Sequence, residues 1–237
     1  MQKVKQKRWT QVLFVILLLL AVGFSAFFLL WEDKKEDALG QNAGHILVLD
    51  PGHGGIDGGA VSDDGTKESD LNLAIAERAR LIAELLGQET VMTRTDNSAR
   101  TDFASYSEHE ELVRRTALIN DTPGAIAISI HQNDFPTGQP SGAQVLYSSF
   151  DGSDRLGVLT HNNLVRLLDP ENRRLAEPAP KSLYITAHAA CPTILVECGF
   201  MSNNFEVLKL CDETYQSSIA LILVASLIQY LNSDTIL

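Results

Sequence analysis

The sequence has little sulfur chemistry to offer: three cysteines, Cys191, Cys198 and Cys211, in 237 residues. That excludes a small secreted scaffold stapled by disulfides. No C-x-x-C pair occurs, so a zinc ribbon is excluded as well. Cys191 and Cys198 are an odd number of residues apart and would face opposite sides of one strand. Buried, inert thiols are the expectation, with at most one facultative disulfide. A G-x-S-x-G nucleophile elbow is missing too, as are internal repeats and low-complexity tracts. Acid is missing from residues 1–31, whereas residues 32–237 hold all 30 acids against 15 bases, a net charge of −15. Such a domain lacks the Lys and Arg that grip phosphate backbones, and nucleic acid is excluded as a partner.

The acid-free leader carries Lys3, Lys5, Lys7 and Arg8, then an uncharged run from Val12 to Trp31. Twenty such residues make about 30 Å of helix, the thickness of a bilayer's hydrocarbon core. Basic residues before the run place the N-terminus in the cytoplasm and the acidic domain outside. Gly23, Ser25 and Ala26 could serve a signal peptidase, but Phe27–Trp31 stays apolar beyond them, which favours a retained anchor. The expected organisation is a basic cytoplasmic N-terminus over 1–11, a transmembrane anchor over 12–31, a charged linker over 32–44 and one domain over 45–237. The domain is expected outside the cell membrane, tethered by a single pass, or secreted if the leader is cut.

Within that domain, short β-branched runs alternate with longer amphipathic ones. Strands are expected at His45–Asp50, Glu89–Thr95, Ala125–His131, Gly142–Ser148, Leu183–Thr186 and Thr193–Gly199. Helices are expected at Ser69–Leu86, Glu110–Asn120, Arg155–Leu168 and Tyr215–Leu231. The alternation predicts a single α/β domain with a mostly parallel or mixed central sheet flanked by helices.

In such sheets ligands bind beyond the carboxyl ends of the strands. His53 follows the first strand within D-P-G-H-G-G, Glu68 opens the first helix, His131 ends a strand within S-I-H-Q-N, and Glu197 interrupts the apolar run T-I-L-V-E. Two imidazoles and one carboxylate, with a position left for water, form the ligand set of catalytic zinc. Zinc acidifies water and polarises a carbonyl, and a fourth group, here Glu197, is then free to act as general base. Each residue also has a plainer reading. A lone His in a loop is often structural, and a Glu at a helix start favours the helix dipole. Glu197 is hardest to explain structurally, because a carboxylate in an apolar strand is costly unless paired or functional. Cys198 as a nucleophile paired with His131 or His188 is the competing arrangement, though a small buried hydrophobe explains it better. His45, His109 and His161 lack companions.

Read together, D-P-G-H-G-G (Asp50–Gly55), Glu68 with Asn72 and Leu73, L-V-R-R-T-A-L-I-N (Leu112–Asn120), S-I-H-Q-N (Ser129–Asn133) and V-E-C-G-F-M-S-N (Val196–Asn203) resemble the zinc-dependent N-acetylmuramoyl-L-alanine amidases. The similarity runs from about His45 to Leu231. It implies that His53, Glu68 and His131 hold one zinc ion per chain and that Glu197 is the catalytic carboxylate. Arg115 matches a family Arg on the helix before the His strand, and Asn133 and Asn203 match positions near the site. Arg115, Asn133 and His188 are the candidate substrate contacts, with a structural ion pair an equal explanation for Arg115. G-G-I-D-G-G-A-V (Gly54–Val61) and S-G-A-Q (Ser141–Gln144) look most like the germination-specific branch, which acts on spore cortex on the way to muramic δ-lactam.

Cys198 and Gln132 depart from the family pattern without touching a proposed ligand. The stretch Asp134–Pro140 is too short for the inhibitory helix of some relatives, which points to control by access or by an activator protein. The implied substrate is the glycan strand with its stem peptide, cut between N-acetylmuramic acid and L-alanine. An anchored peptidoglycan-binding module without catalysis, and a zinc peptidase or deacetylase, are the rival readings. So acidic a domain is repelled by anionic wall polymers, so binding is expected to rest on local groove contacts.

Overall fold

The computed structural model describes residue 24 and residues 44–98, 106–137 and 140–233. The chain divides into two compact units, Met1–Ala43 and Gly44–Leu237. The expected anchor and linker fall in the first unit and, Phe24 and Gly44 apart, outside the described residues.

Six strands carry the second unit: β1 (Ile46–Pro51), β2 (Thr90–Met92), β3 (Ala125–Asn133), β4 (Gln144–Tyr147), β5 (Glu177–Pro178) and β6 (Thr193–Phe200). They form one sheet in the order β2-β1-β3-β6-β4-β5. The first four in that order are parallel; β4 runs antiparallel to β6, and β5 is parallel to β4. The expected α/β domain with a mixed, helix-flanked sheet is therefore what the chain forms.

The helices are α1 (Glu68–Leu85), α2 (Glu108–Asp121), α3 (Ser153–Leu168), α4 (Tyr184–His188), α5 (Asn204–Leu210) and α6 (Glu213–Ser233). Strand residues alternate between two cores, because successive side chains point to opposite faces. Leu47, Leu49, Ile126, Ile128, Ile130, Ile194 and Val196 pack beneath α1, α3 and α6. On the other face Val48, Ala125 and Ala127 meet Ile119 of α2 and Ile185 of α4. Among the described residues α6 is the one helix long and apolar enough to cross a membrane, yet more than half of it is buried inside the domain. It packs against α1 and α3.

Three expectations need correction. Leu183–Thr186 belongs to the one-turn helix α4 rather than to a strand. A run as short as L-Y-I-T cannot be assigned by periodicity alone, and here Ile185 anchors the turn in the smaller core. Helix α5 was not foreseen; Asn203 starts it, its side chain accepting from the N–H groups of Phe205 and Glu206. Cys211, expected buried, is exposed where it caps the end of α5, while Cys191 and Cys198 are buried; all three are free thiols.

Candidate metal centre

The parallel register of β1, β3 and β6 builds the site. It sets Asp50 beside Ser129, and His131 beside Glu197. The N–H of Gly52 extends the ladder by donating to the Ile130 carbonyl at 2.9 Å. The chain then breaks from the sheet at His53, whose φ of 59° lies in the left-handed region. A tight turn closes beyond it, with the Gly54 N–H donating to the Asp57 carbonyl at 2.7 Å.

Asp57, unremarked in the sequence, orients the first imidazole. His53 Nδ1 donates to Asp57 Oδ2 at 2.7 Å, and the Gly59 N–H donates to Oδ1 at 3.0 Å. That hydrogen bond leaves His53 Nε2 directed at Glu68 Oε1, 3.3 Å away. A carboxylate behind a ligating imidazole is the usual means of fixing its tautomer and raising its basicity. Glu68, the first residue of α1, is held by the N–H groups of Ala60 and Gln132, each at 3.0 Å, and stands 3.1 Å from His131 Nδ1, so Gln132, expected to touch no ligand, supports one through its backbone. One donor atom from each of His53, Glu68 and His131 lies within 4.8 Å of the others, so the three could hold a metal ion.

Close approach demands small residues around them. A Cβ on Gly52 would sit 2.1–2.6 Å from the His131 ring. One on Gly59, at φ 65°, would sit 2.6 Å from Glu68 Oε2. Gly52→Ala is accordingly expected to cut metal affinity at least ~10-fold by displacing His131, in line with disturbed ligand support elsewhere. Zinc competition titration checks this; unchanged affinity would show that the ring has room to retreat.

Electrostatics match a cation site. Burial alone would lower the His53 pKa, but hydrogen bonds to Asp57 and Glu68 push it up to about 10. Burial would raise Glu68, yet His131 and His53 hold it far below the usual carboxylate range. Without an ion, the surplus negative charge thus keeps a proton on imidazole that a metal would displace. Glu197 behaves oppositely. Burial pushes it up to about 7, with His131 opposing only in part, and its Oε2 has no hydrogen-bond partner among the described residues. A cavity of about 230 Å³ between α2 and α4 reaches His53, His131 and Glu197. The cluster can therefore hold a cation beside a carboxyl group able to take up and release a proton.

The other candidates sort differently. Arg115 lines the cavity, but its donors go to Asp50 Oδ1 at 3.2 Å, the Pro51 carbonyl at 2.8 Å, the His53 carbonyl and Glu111. It ties α2 to the loop that carries His53. His188 ends α4, exposed and stacked on Tyr184 at 4.1 Å, and Asn133 ends β3; neither lines the cavity. Cys198 sits in the larger core with its thiol pKa pushed up by burial, on the face away from Glu197, so the thiol-nucleophile arrangement fails. Arg94 was missed altogether. Its five N–H groups meet the carbonyls of Pro51, Gly52, Ser69 and Asp96 and the side chain of Asn97, which locks β1, α1 and β2 together under the site. Nothing local in the sequence signals that role.

The family model described as N-acetylmuramoyl-L-alanine amidase matches residues 47–229. The germination-specific N-acetylmuramoyl-L-alanine amidase of Bacillus subtilis (strain 168) is 33% identical over 196 residues, covering 79% of this chain and 80% of the relative. Among solved structures, the CwlD amidase from Clostridioides difficile, determined in complex with the GerS lipoprotein, superposes with a TM-score of 0.75 at 34% identity. That match spans 80% of this chain and 100% of that one. The N-acetylmuramoyl-L-alanine amidase from Clostridium difficile 630 gives a TM-score of 0.70 at 28% identity, over 80% and 98% of the two chains. A match across nearly all of the folded unit, in sequence and in three dimensions, means that this chain belongs to the N-acetylmuramoyl-L-alanine amidase family, enzymes acting on peptidoglycan.

Proposed function

We propose that the chain hydrolyses the amide between the lactyl group of N-acetylmuramic acid and L-alanine with the help of one zinc ion, in spore cortex. The observation that carries this is the Glu197 carboxyl: half-buried, raised to about 7, and with an Oε2 that has no partner among the described residues, directly across from His131. The donor set suits zinc, since two imidazoles and a carboxylate converge and leave the cavity side open. His53, Glu68 and His131 would hold the ion, which supplies Lewis acidity and a more acidic water. Asp57 keeps His53 turned with Nε2 toward the shared centre. Glu197 takes the proton from the attacking water and returns it to the departing amine of L-alanine. A degenerate binding module would lack one of these groups, and all four are in place.

The germination-specific relative motivates the cortex assignment, and Val12–Trp31 would keep the domain at the outer face of the membrane. A lipoprotein partner, as in the Clostridioides difficile complex, would fit an enzyme tethered there. Mass spectrometry of digested peptidoglycan tests the reaction. Free stem peptides beginning with L-alanine, formed from cortex faster than from vegetative wall, are expected; released acetate or cut cross-links would refute it. A chelator is expected to lower turnover at least ~100-fold, with zinc restoring it, as for a site whose metal supplies the activated water.

A further inference from the structure

We propose that Arg174 is a specificity-determining residue that forms a carboxylate subsite for the stem-peptide side of the scissile amide. The proposal rests on Glu197 being the group that protonates the departing amine. Across the sheet, His53 follows β1, His131 ends β3, Glu197 stands on β6, and Gln144 begins β4 directly across from Glu197. Cross-strand partners share a face, with Cβ atoms roughly 5 Å apart. Arg174 Nη1 donates to Gln144 Oε1 and Nε to the Ser141 carbonyl, both at 3.1 Å. The guanidinium lies 4.5 Å over the ring of Phe200, which pairs with Asn133 beyond a register shift and so shares the face of His131. These contacts hold a cation over the site's own face, one strand past Glu197.

Among the described residues the cation also makes no ion pair. A cleft of about 620 Å³ opens at Arg174 and is lined in addition by Arg173, Lys209, Asp169 and Glu171, three cations against two acids. Arg173 pairs with Glu171 at 3.0 Å and Lys209 with Glu206 at 3.3 Å. Arg174 has no carboxylate partner among the described residues, and its Nη2 bonds to nothing there. In a domain this rich in acid, a half-buried, immobilised guanidinium facing a cleft is arranged for an incoming anion.

The direction of the substrate follows from the order of residues. Glu197 is the outermost of the four site residues, so the amine side of the amide lies toward β4, and the peptide that follows runs over Gln144 to Arg174. The sugar side falls to the cavity between α2 and α4, where Leu112 and Tyr184 offer apolar surface. In the intact substrate the muramic carboxyl is consumed in the scissile amide, so the free carboxylates lie on the peptide arm.

Binding of L-alanyl-D-glutamic acid γ-methylamide and of its α-amide to the full chain, by calorimetry, needs no turnover and so stands apart from the assignment of Glu197. The wild-type chain is expected to bind the acid at least ~10-fold more tightly than the amide, the scale of one charge-assisted hydrogen-bonded pair. Arg174→Gln should erase that preference, and Arg174→Lys should restore part of it. In turnover assays the loss should fall on KM rather than kcat. Equal wild-type affinity for the two peptides, or no binding of either, would overturn the proposal. So would a parallel loss for both in Arg174→Gln with a lowered Tm, which would make Arg174 a structural tie only.

Discussion

Glu197→Gln is expected to lower amide hydrolysis by about 10³-fold while leaving bound zinc unchanged, within the range for losing a general base. The substitution keeps shape and volume but cannot take up a proton. Because Glu197 Oε2 has no partner among the described residues, no hydrogen bond from them is lost with it. Metal content by mass spectrometry and turnover on purified peptidoglycan check the two halves separately. Retained activity would sink the role of Glu197; lost zinc would turn it into a ligand.

The same substitution carries a stability signature. Burial raises Glu197 to about 7, against roughly 4.3 for a free glutamate. A carboxyl raised in the folded state binds more protons than in the unfolded chain, so its cost appears as pH rises above roughly 4.3 and is complete above about 7. Glu197→Gln should therefore stabilise the metal-free protein by on the order of 3–4 kcal/mol at pH 8 and hardly at all at pH 4. Bound cation would draw the carboxyl lower, so the acid limb of kcat is expected below pH 7 and should be missing from the residual activity of the variant. A Tm at pH 8 that falls instead of rising would contradict the burial cost.

Asp50→Ala is expected to cost about 3–5 kcal/mol, the scale for removing one partner of a buried ion pair. Asp50 is fully buried at the end of β1 and accepts from Thr93 Oγ1 at 2.6 Å, Ser129 Oγ at 2.7 Å and Arg115 Nη1 at 3.2 Å. Its removal leaves two hydroxyls and one Arg115 donor without their acceptor beneath the loop that carries His53, although Arg115 keeps Glu111 and the Pro51 and His53 carbonyls. Since whole domains are stable by about 5–15 kcal/mol, the loss is a large share. Burial would raise the Asp50 pKa, but Arg115, Thr93 and Ser129 overcome it and hold it below the ordinary value. The sign is then opposite to that of Glu197: the stabilisation is present above roughly pH 4 and is lost as pH falls through the folded pKa. Urea unfolding at pH 7 and pH 3 should show wild type losing stability on acidification by more than the variant does. Parallel losses would mean that Asp50 is not the group titrating.

The two predictions bear on how much could be read from the chain. Glu197 was conspicuous because a carboxylate in T-I-L-V-E breaks an apolar strand, and that contrast is visible in one dimension. Asp50 was not, because an acid ending a strand reads as an ordinary polar terminus until Arg115, 65 residues on, is seen to meet it. His53 and His131 stood out through their motifs; Asp57 and Arg94 did not, since a hydrogen bond to an imidazole and a guanidinium shared among five acceptors leave no local pattern. Leu183–Thr186 reads as a strand because a run as short as L-Y-I-T suits a strand and a helical turn equally.

By itself, the sequence determined the alternation of strands and helices, the acidic character of the domain, and the residue types able to hold a metal and move a proton. These are local properties of spacing, charge and motif. Tertiary structure decided which of those residues meet. Glu68 and His131 lie 63 positions apart and touch only because α1 starts beside the end of β3. Whether Arg174 lies on the site's face depends on the antiparallel turn of β4 and on a register shift near the end of β6, where one residue's slip exchanges the two faces of a sheet.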